Sequence, residues 1–165
     1  MTEHLAAVRG VLGGSTSVLL EAPVNTAVHK TLVVQLQAGD TAERFPVLAH
    51  LGYEAADPFA LTVVFSHDGR VLARWALDRE MVAEGLTRPV GVGDVRLRPE
   101  SRGMWDELRI ELLGDDRGDG GRHRAVVFVW AAAVEAFLRE THTVVRPGRE
   151  RVCVDDFLAA LTAEG

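Results

Sequence analysis

The sequence predicts an α+β domain built on antiparallel β-sheet, and three observations predict it. Segments in which apolar and polar side chains alternate residue by residue, the period of an extended chain, recur between residues 31 and 113. Asp68-Gly69, a dipeptide that tolerates the positive φ angles of a tight hairpin, joins two of them. Helical patterns gather mostly near the end of the chain instead of alternating with strands, which argues against a parallel sheet. With 165 residues, 47% hydrophobic and 25% charged, one core forms without staples, and no internal repeat or long linker divides it.

Taken in order, residues 1–14 carry Leu5, Val8 and Leu12 at helical spacing, but Gly10, Gly13 and Gly14 weaken a helix. Residues 1–27 are therefore expected to be an N-terminal extension, a frayed arm or a disordered tail, ahead of a domain at 28–165. Residues 15–21 suit a strand that Pro23 ends. A clearer strand follows at 31–37, where Leu32, Val34 and Leu36 alternate with Thr31, Val33, Gln35 and Gln37. Phe45-Pro46 then opens a short apolar segment through Leu51.

The block from 53 to 99 organises the rest of the chain. Phe59, Leu61, Val63 and Phe65 share one strand face; beyond the Asp68-Gly69 turn, Val71, Ala73, Trp75 and Leu77 repeat the alternation against Arg70, Arg74 and Ala76. Asp78 caps a short helix over 79–84, and Gly85 is placed to end it in the left-handed conformation. Arg88-Pro89 to Gly93 forces a loop before Val95 and Leu97 begin another strand.

A polar turn at 100–103 leads to a strand at 108–113, and 115–121 (DDRGDGG) is a turn or loop. Residues 125–130 are apolar on both faces, which suits the most central strand, although the start of a buried helix carries the same pattern. Val134, Phe137, Leu138 and Thr141 fall at helical spacing, Arg146-Pro147-Gly148 breaks that helix, and Asp155 or Asp156 caps a last one bearing Phe157, Leu158 and Leu161.

Composition narrows the function. A formal net charge of −6 disfavours a mainly electrostatic grip on nucleic acid or an anionic membrane. All 18 basic residues but Lys30 are arginine, spread along the chain in the manner of codon bias. Cys153 is the one cysteine, so neither an internal disulfide nor a thiolate-rich metal site forms, and a reducing cytoplasm fits. The N-terminus lacks the basic start and apolar core of a secretory signal. The longest apolar run, 125–134, is half of the ~20 residues a spanning helix needs, so membrane contact would come only through a partner.

Catalytic and metal patterns are weak. Gly91-Val92-Gly93-Asp94 lacks the third glycine and the preceding strand of a dinucleotide loop. Asp115, Asp116 and Asp119 resemble a calcium loop, but valine stands where the bidentate glutamate belongs. The six histidines, His4, His29, His50, His67, His123 and His142, are scattered, and Ser66 and Ser101 sit in turn contexts without a nucleophile elbow. The Arg117-Gly118-Asp119 triplet reads as chance, and the acids between Asp78 and Glu84 read as a cap and a solvated face. No cofactor is expected.

Two non-catalytic patterns remain. Outward Arg70, Arg74, Arg96 and Arg98 on one sheet face would resemble a single-strand nucleic-acid groove if aromatics were interleaved. Glu107 and Glu111 dilute that charge, and Phe59, Phe65 and Trp75 fall in the inward register. Trp75, Trp105 and Trp130 are ample bulk for one small sheet, placing them either in the core or in a subunit interface.

The central block also carries a resemblance. Tyr53-x-x-x-Asp57-Pro58-Phe59-Ala60, Trp75, and Asp78-Arg79-x-Met81-x-x-Glu84-Gly85-Leu86-x-Arg88-Pro89-x-Gly91-x-Gly93-Asp94-Val95-Arg96 closely resemble the SsgA-like proteins of sporulating actinobacteria. Val134-Glu135-x-Phe137-Leu138-x-x-Thr141, Val145-x-Pro147-Gly148 and the closing stripe to Leu161 match that family's C-terminal pattern. The resemblance implies a non-enzymatic adaptor that controls septum formation in sporulation by recruiting or positioning FtsZ or another SsgA-like protein. It also implies a fold similar to Whirly-type proteins, with barrel-like antiparallel packing and C-terminal helices, assembled as a homotrimer at division septa; those related folds bind single strands, which keeps nucleic acid as the alternative partner. The exposed polar residues of the block, Arg79, Glu80, Glu84 and Arg88, are the expected partner contacts. An N-terminal extension and a long hairpin over 102–124 depart from the family pattern.

Overall fold

The alternation read from the sequence is realised as one antiparallel sheet in the computed structural model, which describes residues 26–116, 118 and 120–151 and, ahead of them, the backbone of four two-residue strands. These are β1 (Glu3–His4), β2 (Arg9–Gly10), β3 (Val18–Leu19) and β4 (Val24–Asn25), with β1 paired to β4 and β2 to β3. The expected last helix lies outside the described residues, as does most of the strand expected at 15–21.

A first meander comprises β5 (Ala27–Ala38), β6 (Phe45–Glu54), β7 (Ala60–His67) and β8 (Arg70–Asp78). A second comprises β9 (Val90–Val92), β10 (Val95–Arg102), β11 (Trp105–Asp116) and β12 (Arg122–Trp130). Because β12 pairs back on β5, the two merge into one eight-stranded sheet of order β8-β7-β6-β5-β12-β11-β10-β9. A helix follows each meander, α1 (Arg79–Gly85) after the first and α2 (Ala131–Val144) after the second. The architecture thus repeats as ββββα, a duplication the sequence does not display.

The sheet curls so that inward residues from both halves share one core. Leu61, Val63 and Phe65 of β7 face Leu108 and Ile110 of β11 and Val127 and Val129 of β12, with Val82 of α1 and Phe137 of α2 closing the space. β12 sits between β5 and β11 and buries both its faces from Val126 to Val129, as an apolar-on-both-sides segment should when it is central.

Local chemistry explains the turns. Asp68 (φ 49°) and Gly69 (φ 75°) take the two left-handed positions of the β7–β8 hairpin, and Gly93 (φ 59°) turns β9 into β10. The Asp78 carboxylate accepts from the Met81 amide at 2.9 Å and caps α1 as expected. Gly85, however, is a buried residue of the helix itself, and the helix ends at Leu86 with ordinary φ −70°. Its requirement is space, since a Cβ there would lie 2.7 Å from Leu97 Cβ. Close packing of α1 on β10, not helix termination, selects this glycine.

Other boundaries move too. The 88–93 stretch contains β9 and is not all loop, while β10 runs through the predicted polar turn and reverses at Gly103 (φ 61°). Phe59 precedes β7 and is 47% exposed, so it does not join the inward face of Leu61, Val63 and Phe65. Its carbonyl instead accepts from the Arg79 amide at 2.8 Å.

Candidate functional site

The four residues expected to contact a partner do not form one surface. Where β8 turns into α1, the first helical side chain swings off the strand's alternation and under the C-terminal end of α2. Arg79 is consequently 2% exposed, which removes it from the partner contacts predicted by sequence. Its Nη1 donates to the carbonyls of Thr141 (3.2 Å) and Val145 (2.7 Å), its Nη2 donates to Glu150 (2.6 Å), and its guanidinium lies 4.8 Å from the centre of the Tyr53 ring. A cation placed on the last carbonyls of a helix meets their remaining lone pairs and the negative end of the helix dipole. Arg79 is therefore a clasp that ties α1 to α2 and to the segment beyond it. Of the others, Glu80 is exposed, and Glu84 pairs with exposed Arg88 at 2.6 Å one helical turn on.

Titration of this corner follows from its burial. Desolvation raises the Tyr53 phenol above its usual range, opposed by Arg79, and its hydroxyl donates to the Pro58 carbonyl at 3.0 Å. Burial, then the Arg79 charge, push His142 below the usual imidazole range. The hydrogen bond from Arg79 holds Glu150 below the usual carboxylate range, and those from Arg124 and Arg109 do the same to Glu111. A group with a lowered native pKa contributes stability above its unfolded pKa and loses it as pH falls through the native value. Thermal midpoints should therefore begin to drop below about pH 6.5 as His142 in the unfolded chain takes up its proton, and drop again below about pH 4.5 as the carboxylates do. His142→Gln should flatten the first phase and leave the second, a contrast read directly from melts across pH.

The outer, convex face is where the tryptophans stand. Trp105 and Trp130 are each 61% exposed and stack with ring centres 5.4 Å apart and planes 3° from parallel. Trp75 is half-buried against the core, so it departs from its two partners in the predicted interface set. Beside the pair, Arg44 lies 3.4 Å above the Phe128 ring, and its Nη1 donates to both oxygens of buried Glu107, at 3.1 and 3.3 Å. Aromatics other than the three expected inward are thus interleaved with arginines on the outer face, while Phe65 and Trp75 keep the inward register and Phe59 does not. β12 hides this in the sequence, because both its faces read apolar.

The predicted basic face is also redrawn. Arg74 on β8 and Arg96 and Arg98 on β10 are separated by five intervening strands. A bulge between Phe65 and Ser66 sets Arg70 opposite His67, outside the alternation that carries Arg74. Glu107 does not dilute surface charge, being consumed by Arg44. Ser66 is a strand residue, not a turn one, and completes a chain that spacing could not reveal: His50 contacts the Ser66 hydroxyl through Nε2 at 2.9 Å and the Thr31 hydroxyl through Nδ1 at 3.0 Å. These three meet across β5, β6 and β7 on the solvent side, where sheet register alone brings them together. Among the described residues no cluster of three metal-ligating side chains forms, and no helix is long and apolar enough to cross a membrane.

A curled eight-stranded antiparallel sheet with one helix after each meander is the architecture of a sporulation and cell division protein family. Residues 47–150 match the family described as Streptomyces sporulation and cell division protein, SsgA, and the chain belongs to it. Among its relatives is the sporulation-specific cell division protein SsgB of Streptomyces coelicolor, 35% identical over 127 residues that cover 77% of this chain and 85% of that one. SsgB of Salinispora tropica is 34% identical over 79% of this chain and 87% of its own. Solved structures agree: SsgB of Streptomyces coelicolor superposes with TM-score 0.66 at 32% identity, covering 79% of this chain and 97% of that one. An SsgA-like sporulation-specific cell division protein from Thermobifida fusca gives TM-score 0.66 at 28% identity over 88% and 100%.

Proposed function

We propose that this protein is a non-enzymatic adaptor that recruits or positions FtsZ, or another SsgA-like protein, at septa during sporulation. The observation that carries the reading is membership of a family whose matched relatives are named for sporulation-specific cell division. It acts in the cytoplasm as a homotrimer of Whirly-like fold, without a cofactor, and reaches the membrane only through its partners. Three copies of one weak surface gain avidity from raised effective concentration, which suits a positioning role better than a single tight contact does. Two solvent-facing tryptophans support the reading, because exposed aromatic area of this size marks interaction surfaces. Sedimentation with polymerised FtsZ, a matching assay with family members and the mass of the chain in solution test it. Binding to one of these partners and a trimeric mass are expected; clean negatives with both partners would overturn the adaptor role.

A further inference from the structure

On the outer face of β10, Arg96, Arg98 and Arg102 stand in register with Glu111, Arg109 and Trp105 of β11. Alternate residues of a strand repeat at about 7 Å, so the three form a row along one edge of the sheet. All three are exposed and make no hydrogen bond or ion pair among the described residues. Arg98 lies directly across from a second arginine, Arg109, and like charges in a cross-strand pair are unfavourable.

The neighbouring acids offset Arg109 but, among the described residues, leave the β10 arginines unpaired. Glu111 accepts from Arg109 at 3.0 Å and Arg124 at 3.3 Å, and Glu107 is held by Arg44. Glu100, the fourth member of the row, keeps one buried carboxylate oxygen without a hydrogen-bond partner, 4.0 Å from Arg109 Nε. Surplus cations and an orphaned acceptor therefore lie side by side. Arg96, Arg98, Arg109, Glu111 and Gly91 border a cleft of 570 Å³, and the stacked Trp105–Trp130 pair stands at the far end of the row. β9 covers only Val95 to Leu97, so the backbone edge of β10 from Arg98 to Arg102 is unpaired.

We propose that this face binds an extended acidic segment of a partner protein, with carboxylates on alternate residues and one aromatic side chain against the Trp105–Trp130 pair. The inference deepens the adaptor reading and rests on it. Arginine grips carboxylate with a charge-assisted fork, and an extended peptide repeats its side chains at the same 7 Å period as the arginine row. It adds as a strand to the open edge. A nucleic-acid strand fits less well, because its backbone is charged at every nucleotide and would hold phosphates beside Glu100 and Glu111, whereas a peptide backbone is neutral.

The test uses the full chain and labelled probes followed by fluorescence anisotropy. One probe carries glutamate at alternate positions and a terminal phenylalanine; others replace glutamate by lysine, replace phenylalanine by serine, or are an oligothymidylate. Binding of the acidic peptide that weakens with salt, with no binding of its lysine counterpart, is expected. R96E/R98E should weaken it by about tenfold or more, and Trp130→Ala should weaken the phenylalanine probe while leaving the serine probe unchanged. Arg102→Glu provides an independent reversal if R96E/R98E alters the melt. No binding by the wild type, equal binding by R96E/R98E, or tighter binding of the oligothymidylate would overturn the proposal. FtsZ and family-member sedimentation separates the two readings. Unchanged sedimentation of R96E/R98E sinks this surface and leaves the adaptor, whereas peptide binding without any partner sedimentation sinks the adaptor and leaves the surface.

Discussion

Arg79→Ala is expected to lower the thermal midpoint by about 10 °C, equivalent to ~3 kcal/mol for a chain of this size. The guanidinium closes three hydrogen bonds at once, two of them to carbonyls at the end of α2, where the Thr141 carbonyl also accepts from the Val145 amide at 3.0 Å. Removing it strips Thr141 and Val145 of a charged donor, opens a gap beneath Tyr53 and frees the segment at Glu150. Arg79→Lys should recover only part of the loss, because an ammonium lacks the planar fork that reaches Val145 and Glu150 together. Glu150→Gln, which spares the carbonyl bonds, should cost much less than Arg79→Ala. Chemical or thermal denaturation of the three variants checks the order; an Arg79→Ala protein as stable as the wild type would refute the clasp.

Phe137→Ala should cost about 3–5 kcal/mol, the range for a large aromatic deleted from a close-packed core. Phe137 is 1% exposed and enters the concave side of the sheet among Leu108, Val129 and Val134. Trp130→Ala removes a larger side chain seven residues earlier, yet should change stability by no more than about 1 kcal/mol, since that indole faces water and loses chiefly its stack on Trp105. The pair of denaturation curves distinguishes the two faces: similar losses from both variants would mean that the convex face is covered, which the exposure of Trp130 contradicts.

The sequence was legible where chemistry is local. The Asp68-Gly69 hairpin, the Asp78 cap, the inward stripe of Leu61, Val63 and Phe65, and the central place of β12 all follow from neighbours a few residues apart. Family membership was legible for the same reason, through ordered fixed residues between Tyr53 and Arg96. The candidate site was not. Arg79 carries the charge of a surface residue and no nearby signal of burial, because its partners Thr141, Val145 and Glu150 lie more than sixty residues away.

By itself, then, the chain determined its antiparallel class, most of its strands, the Asp68-Gly69 turn and its relatives, since alternation, capping and positive-φ turn residues act over one or two neighbours. Only the tertiary structure decided that α1 requires glycine at 85 for contact with Leu97, that Arg79 is internal, and that Trp105 and Trp130 stack outward beside the arginines of β10. Those outcomes depend on which strands become neighbours when β12 closes onto β5, and a pairing between residues about ninety positions apart leaves no mark in local periodicity.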